Sequence, residues 1–352
     1  MWRALAQLKR QDEQHRQTTA LWETVRQNLP SRIDPSVGGL TICSVAYRAK
    51  SCLDLNERLI RALNPHAPDP TWLLFDNNVE PSEQIGPDDR RFTVLRQTTR
   101  DIEMGYEHAL GISTLLAHVR SRFLLVLDPD CFIVLPDWIR RVTDHMIARE
   151  LGFFGTPINP RRHNSYRYFP YMVCMFVDLA RVPLRDLCFL PGVWELWTNL
   201  TYRMRKSLAD VPKIGFLFRW LLTEQLRTNG WHIKTRFGVG RDVHFECAQP
   251  VWDVNQAVPR FGVKRMIHAM TPASVSPVPK KPGYCSTKGF RSMLAPDVDA
   301  RGWEEFVWQE QPFAFHLGRS HSRRPEEYLP QLANVLDAFA RRAPATPALA
   351  VP

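Results

Sequence analysis

Asp128 and Asp130 stand one residue apart in the segment RFLLVLDPDCFIVL (122–135), and their surroundings single them out for chemistry. The apolar run Phe123–Leu127 reads as a buried strand, and a second apolar run, Cys131–Leu135, follows the acids at once. Carboxylates at the open end of a buried strand lose hydration and repel each other. A hard divalent cation compensates both losses, because it takes oxygen ligands and cancels both charges. The spacing therefore predicts a metal site that handles phosphate groups. Asp and Pro are also common turn residues, but the apolar runs on both sides argue against a surface turn.

A sheet is needed to hold such acids, and the pattern from Leu40 onward supplies one. Leu40–Ala46, Trp72–Phe75, Arg91–Leu95 and Phe123–Leu127 read as strands, separated by amphipathic helices over Asp54–Leu63 and Ile102–Val119. Strands alternating with helices predict an α/β fold with a doubly wound, mostly parallel sheet flanked by helices. Ligands collect at the carboxyl ends of such strands. Tyr47, Asp76 and Asp128 occupy three of those ends. Asp137–Glu150 reads as a helix, and Phe153–Phe154 and Met172–Asp178 as strands. One or two helices are expected from Trp194 to about Leu226, with a strand over Trp231–Phe237. Residues 250–300 are rich in proline and read as an irregular lid or loop. Phe306–Leu317 is expected as one final strand ending in His316, Pro325–Arg342 as a last helix, and Ala343–Pro352 as a disordered tail. The polar stretch Arg3–Leu29 is an accessory helix for the main domain or a partner. No internal repeat is present.

These residues resemble the nucleotide-sugar half of GT-A fold glycosyltransferases, closest to glycosyltransferase family 2. The likeness covers Leu40–Pro136 well and is looser to about Arg324. LLVLDPDCFIV is similar to the family's hydrophobic-DxD-hydrophobic signature, and FDNN (75–78) to its second strand end. Gly105–Gly111 (GYEHALG) is similar to the family's GxxxxRNxG segment but carries His108-Ala109 in place of Arg-Asn. The resemblance implies a GT-A type sheet with N-terminal helix and C-terminal helical and irregular additions. It divides the chain into an accessory helix (1–38), a glycosyltransferase domain (39–324) and a C-terminal helix and tail (325–352). Within the domain, 39–136 would bind the nucleotide-sugar and 137–324 the acceptor.

The resemblance also implies roles. Asp76 would hold the nucleobase with Tyr47 beside it, Asp128 would face the ribose or sugar, and Asp130 would bind Mg2+ or Mn2+ on the diphosphate. His316, in PFAFHLGRSHSR, is similar to the family's late His-x-x-Gly segment and would be a further metal ligand, with His244 in RDVHFE as its rival. Arg319 and Arg323 would clamp phosphate oxygens. Asp210, before the Phe216–Leu226 helix, would be the general base, although Val211-Pro212 replaces the usual Thr-Gly; Glu195 and Glu224 are rivals, and a helix-capping role is open to Asp210. The implied activity is a metal-dependent, inverting transfer of sugar from a nucleoside-diphosphate sugar, a UDP-sugar first, to a hydroxyl acceptor: a glycan, a lipid-linked molecule or a small molecule. A nucleotidyltransferase expects a Gly-rich, lysine-bearing loop after the first strand, and here Tyr47-Arg48-Ala49-Lys50 follows instead. A catalytically degenerate sugar-nucleotide binder of the same fold remains the other alternative.

Bulk properties are compatible with this. The chain has 352 residues and a net charge of +10, from 46 basic and 36 acidic residues. The basic excess lies in doublets such as Arg140-Arg141 and Lys280-Lys281 and forms no long block, so no nucleic-acid partner is expected. Beside Trp194, Trp197, Phe216, Phe218 and Trp220, it suits a peripheral contact with an anionic inner membrane face. Seven dispersed cysteines without CxxC spacing, no signal-like N-terminus and no run of ~20 apolar residues give the expectation of a cytoplasmic protein with reduced thiols.

Overall fold

In a computed structural model the alternation becomes two sheets. The structure describes residues 2–31, 33–34, 36–78, 80–86, 89–96, 104–157, 169–190, 233, 237, 243–250, 304–317, 330, 332–334 and 337. The main sheet has seven strands: β1 (Leu40–Ala46), β2 (Thr71–Asp76), β3 (Thr93–Arg96), β4 (Phe123–Leu127), β6 (Leu151–Gly155), β7 (Cys174–Asp178) and β8 (His244–Cys247). They lie in the order β3-β2-β1-β4-β7-β6-β8. All neighbours are parallel except at β7, which runs against both β4 and β6. A second, antiparallel sheet joins β5 (Cys131–Ile133), β9 (Gln249–Pro250), β10 (Glu304–Trp308) and β11 (Gln311–His316) in the order β5-β11-β10-β9.

Burial on both faces explains the near-continuous apolar strands. Along β1, β2 and β4 the side chains alternate between two cores. Ile42, Trp72, Leu74 and Leu125 face one, and Cys43, Val45, Leu73, Phe75 and Val126 face the other. Helices α2 (Lys50–Leu63) and α4 (Trp138–Ala148) cover the first face; α1 (Trp2–Gln27) and α3 (Met104–Leu115) cover the second. In α2 the buried residues Cys52, Leu55, Asn56, Leu59 and Leu63 follow helical spacing. Helix α1 packs against α3, with Trp22 buried in the core that they share, so it sits on the main domain, a choice the sequence left open between that domain and a partner. Cys43, Cys52, Cys131, Cys174 and Cys247 are free and buried, and burial pushes the Cys43, Cys131 and Cys247 thiols up, as befits small hydrophobes. No helix among the described residues is long and apolar enough to cross a membrane.

Two expectations are corrected. The stretch Phe306–Leu317 is a hairpin, not one strand: β10 and β11 turn at Gln309 and Glu310, both with left-handed φ (49° and 61°). Such a two-residue turn normally announces itself by Asn-Gly or Asp-Gly, and Gln-Glu gives no signal. The strand expected over Trp231–Phe237 is helical at its two described residues, Ile233 and Phe237. Both side chains lie in the same core. The helices expected between Trp194 and Leu226, the lid at 250–300 and the tail lie outside the described residues.

Strand order locates the crevice. From β1 the chain winds outward through α2 to β2 and β3, then returns across the other face by α3 to β4, on the opposite side of β1. The order thus reverses between β1 and β4, where open sheets leave a ligand crevice at the strand carboxyl ends. Helix α3 reaches this crevice because Gly111 lets it sit close. A Cβ there would meet Val45 Cγ2 and Phe75 Cδ1 at 2.9 Å. Gly111→Val is expected to destabilise the fold by roughly 1–3 kcal/mol through overpacking, while Gly86→Ala, with nothing within 4 Å of its added carbon, leaves stability within about 0.5 kcal/mol. Urea unfolding midpoints of the two variants decide the matter.

Candidate metal and diphosphate site

The two acids lie in the turn that carries the chain from one sheet to the other. Asp128 C=O accepts from Cys131 N–H at 2.9 Å, which closes a four-residue turn with Pro129 at its second position. The turn is real, as the residue types allow, but it is not a surface turn: Pro129 and Asp130 are buried and β5 enters the second sheet directly. Its backbone is fixed from four directions. Asp128 N–H donates to Val173 C=O at 2.9 Å, next to β7. Asp130 C=O accepts from Leu317 N–H at 3.0 Å, just past β11. Asn56 on α2 donates through Nδ2 to Cys131 C=O at 2.7 Å and to Pro129 C=O at 3.4 Å. Where the β1–β4 pairing ends at Cys43 and Val126, Ser44 Oγ donates to Leu127 C=O at 2.7 Å and accepts from Trp72 Nε1 at 3.0 Å. With its backbone bonded in this way, the turn fixes where its two acidic side chains start.

Histidines meet those carboxylates. His108 on α3 places Nε2 3.2 Å from Asp128 Oδ1. His316, at the end of β11, places Nε2 3.3 Å from Asp130 Oδ1 and Nδ1 2.7 Å from Glu304 Oε2. His316 is directly opposite Cys131 in one strand pair and opposite Glu304 in the other, so these residues share a face of the second sheet. Burial, the largest influence on the imidazole, works against its positive charge, but Asp130 and Glu304 outweigh it and raise the pKa to about 10. Elsewhere the fold handles a buried acid differently: Asp178 is gripped by both Arg122 Nε (3.0 Å) and Nη2 (2.9 Å).

Asp128, Asp130 and His316 each offer a ligand atom, and these atoms lie within 4.8 Å of one another. Ligands on opposite sides of a magnesium-sized ion sit about 4.2 Å apart, given metal–oxygen distances of about 2.1 Å. The spread of the three, at most 4.8 Å with His316 Nε2 and Asp130 Oδ1 at 3.3 Å, is of the size of one such ion's ligand shell. Two carboxylates and an imidazole suit a divalent ion, and the group fits the metal that the DxD resemblance implies. Asp128, assigned to the ribose or sugar by that resemblance, is grouped here with Asp130 and His316 as a third candidate ligand.

The remaining expected residues are distributed as follows. Tyr47 follows β1, is exposed, and has the Arg48 guanidinium 5.6 Å from its ring centre. Asp76 ends β2, but its carboxylate is fully buried and engaged. Oδ1 accepts from Asn78 N–H (3.1 Å) and Asn78 Nδ2 (2.8 Å), and Oδ2 from Ile85 N–H (3.1 Å) and Arg96 Nε (3.1 Å). Two acceptances per oxygen fill its capacity, so contact with a base requires one of these partners to yield. Asp76 thereby ties the loop after β2 to the end of β3. His244 opens β8 and is exposed, at the sheet edge away from the carboxyl ends of β1 and β4, so His316 and not His244 joins the acids. Asp210, Glu195, Glu224, Arg319 and Arg323 lie outside the described residues. Sequence reasoning missed Asn56 and Glu304. Asn56 was detectable as a polar residue on the apolar stripe of α2; Glu304 gave no local signal, because its partner lies across an unrecognised hairpin.

No family model matches the sequence, and no curated protein matches it. Solved structures similar to this chain are glycosyltransferases. S. aureus TarS is 10% identical, over 52% of this chain and 69% of that one, with a TM-score of 0.35. The mannosyltransferase PcManGT from Pyrobaculum calidifontis, solved in complex with GDP-Man and Mn2+, is 12% identical over 66% of this chain and 83% of that one, with a TM-score of 0.32. LgtC, solved with donor and acceptor sugar analogs, is 10% identical over 68% of this chain and 98% of that one, with a TM-score of 0.29.

The Asp76 geometry makes a prediction. Asp76→Ala leaves the buried Ile85 and Asn78 amides without their acceptor and is expected to cost roughly 1–3 kcal/mol, with hydrogen exchange accelerated at residues 80–86. Unchanged stability and exchange would assign Asp76 no positioning task.

Proposed function

We propose that the protein is a metal-dependent glycosyltransferase, which moves a sugar from a nucleoside-diphosphate sugar to a hydroxyl acceptor with inversion. The observation that carries this reading is the grouping of Asp128, Asp130 and His316 at the point where strand order reverses. A leaving diphosphate calls for such a cation, because its negative charge grows as the glycosidic bond breaks. Asp130 and His316 hold Mn2+ or Mg2+, and Asp128 completes the group from the sugar side. The bound ion supplies Lewis-acid stabilisation of the departing diphosphate.

The other residues take roles around that centre. Tyr47 offers an exposed ring at the β1 end for the base of the donor, a UDP-sugar first. Asp76 shapes the adjoining loop through Asn78 and Ile85. Arg319 and Arg323, which follow His316 closely in sequence, clamp phosphate oxygens. Asp210 takes the proton from the acceptor hydroxyl as it attacks the anomeric carbon. The acceptor, a glycan, a lipid-linked molecule or a small molecule, occupies the half of the domain that follows residue 136. The reading includes a cytoplasmic protein of the family 2 type with peripheral contact at the inner membrane face.

The test is thermal stability of the parent and Asp130→Asn in the presence of UDP, dTDP or GDP, each with and without Mn2+. A nucleotide bound at 100 times its dissociation constant adds about 2.7 kcal/mol. One nucleotide is expected to stabilise the parent only when Mn2+ is present, and Asp130→Asn is expected to lose that gain. Equal stabilisation of parent and variant would remove the metal role. Asp210→Ala is expected to keep metal-dependent nucleotide binding and lose sugar transfer by 10²–10⁴-fold, roughly the contribution of a general base. Transfer at the parent rate would eliminate Asp210.

A further inference from the structure

Glu304 has no part in the reading above, yet it is a buried acid within hydrogen-bond reach of a proposed ligand. Its Oε2 lies 2.7 Å from His316 Nδ1, while His316 Nε2 faces Asp130 from the other end of the ring. Both side chains are almost wholly buried, at 8% and 9% exposure. They are directly opposed across the β10–β11 pair, so the backbone and not a flexible loop sets their separation. A carboxylate oxygen only accepts, so the metal-free ring carries a proton toward Glu304 on Nδ1 and toward Asp130 on Nε2; a cation arriving beside Asp130 would displace the Nε2 proton to solvent, while the Nδ1 proton stays directed at Glu304. Glu304 is not within the group of candidate ligand atoms; it bonds the ring nitrogen turned away from them.

We infer that Glu304 is a positioning residue. It fixes the His316 ring and its tautomer so that Nε2 serves as the single nitrogen ligand, and through that ligand the site prefers Mn2+ to Mg2+. The preference follows from donor chemistry. Carboxylates alone serve Mg2+ as well as Mn2+, whereas an imidazole adds more to a transition-metal ion than to magnesium, which retains its waters. A histidine free to rotate or to exchange tautomers would leave an oxygen-only site. Partners of this kind behind a metal-bound histidine are worth about 10–100-fold in metal affinity.

This inference rests on the proposed metal site, and the test keeps the two apart. Mn2+ alone is titrated into the full-length chain and free Mn2+ is counted by electron paramagnetic resonance; Mg2+ is then added as competitor. Parent, Asp130→Ala and three Glu304 variants are compared, with circular dichroism to establish that each is folded. Glu304→Ala removes the acceptor, and Glu304→Asp withdraws it by one methylene while keeping the charge. Both are expected to lose about 10–100-fold in Mn2+ affinity and most of the preference over Mg2+. Glu304→Gln keeps an acceptor oxygen and is expected to stay within a few-fold of the parent. Should the alanine variant fail to fold, the aspartate and glutamine variants make the same comparison. Equal loss of Mn2+ and Mg2+ would reduce Glu304 to a structural role and overturn the inference. So would Mn2+ affinity at the parent level in Glu304→Asp while Asp130→Ala loses it. A parent that takes up no Mn2+ overturns the metal site and this inference together.

Discussion

The turn Asp128-Pro129-Asp130 sets the constraint on which the remaining structure depends. Two carboxylates one residue apart are placed at a buried strand end, and their repulsion has to be balanced without letting the turn relax. The chain does this by separating backbone from side chain. Backbone groups of the turn are bonded to β7, to the end of β11 and to α2, and Ser44 fastens the residue just before it. The carboxylates themselves are met by imidazoles from α3 and β11. The candidate ligands are placed by the same contacts that end the strands.

The second sheet is best understood as a delivery device. The ends of β1 and β4 provide acids and an exposed Tyr47, and His108 on α3 reaches Asp128, but among the described residues the imidazole against Asp130 comes from β11. Residues 131–133 leave the main sheet to become an edge strand for β11, so that residues nearly two hundred positions later dock beside the turn. Sheet pairing makes this accurate: Cys131, His316 and Glu304 are successive cross-strand partners. A loop-borne histidine would have to be ordered by the cation itself. One carried on a paired strand has paid that ordering cost in folding.

What was legible in the sequence divides along the same line. Strands β1, β2 and β4 and helices α2 and α4 were readable because each buries a regular stripe of its own side chains, and the acids at 128 and 130 were readable because the apolar runs beside them made hydration implausible. The hairpin at residues 304–316 was not readable as such, because Gln309-Glu310 is an unusual pair for left-handed φ, and with the turn unrecognised Glu304 had no partner to be matched with. Ile233 and Phe237 looked like strand residues from their apolar, β-branched surroundings; core packing overrode that preference. Asp76 shows a subtler limit. Its place at a strand end was correct, but sequence does not say whether an acid at such a place is offered to a ligand or used up on its own loop.

The charge of the site also bears on the order of events in the proposed reaction. The chain as a whole carries +10, yet its crevice gathers Asp128, Asp130 and Glu304 around one imidazole. Two like charges 4 Å apart at a partly solvated site repel by about 4 kcal/mol, so a diphosphate entering beside these acids would meet a barrier equal to a large part of a micromolar affinity, itself about 8 kcal/mol. A divalent ion reverses the sign of that term at the same position. On the proposed reading, metal and nucleotide therefore bind as one thermodynamic unit: each raises the affinity for the other by the same factor, as linkage requires. On that reading an acidic crevice in a basic protein would admit its cation on its own, and its donor only together with that cation.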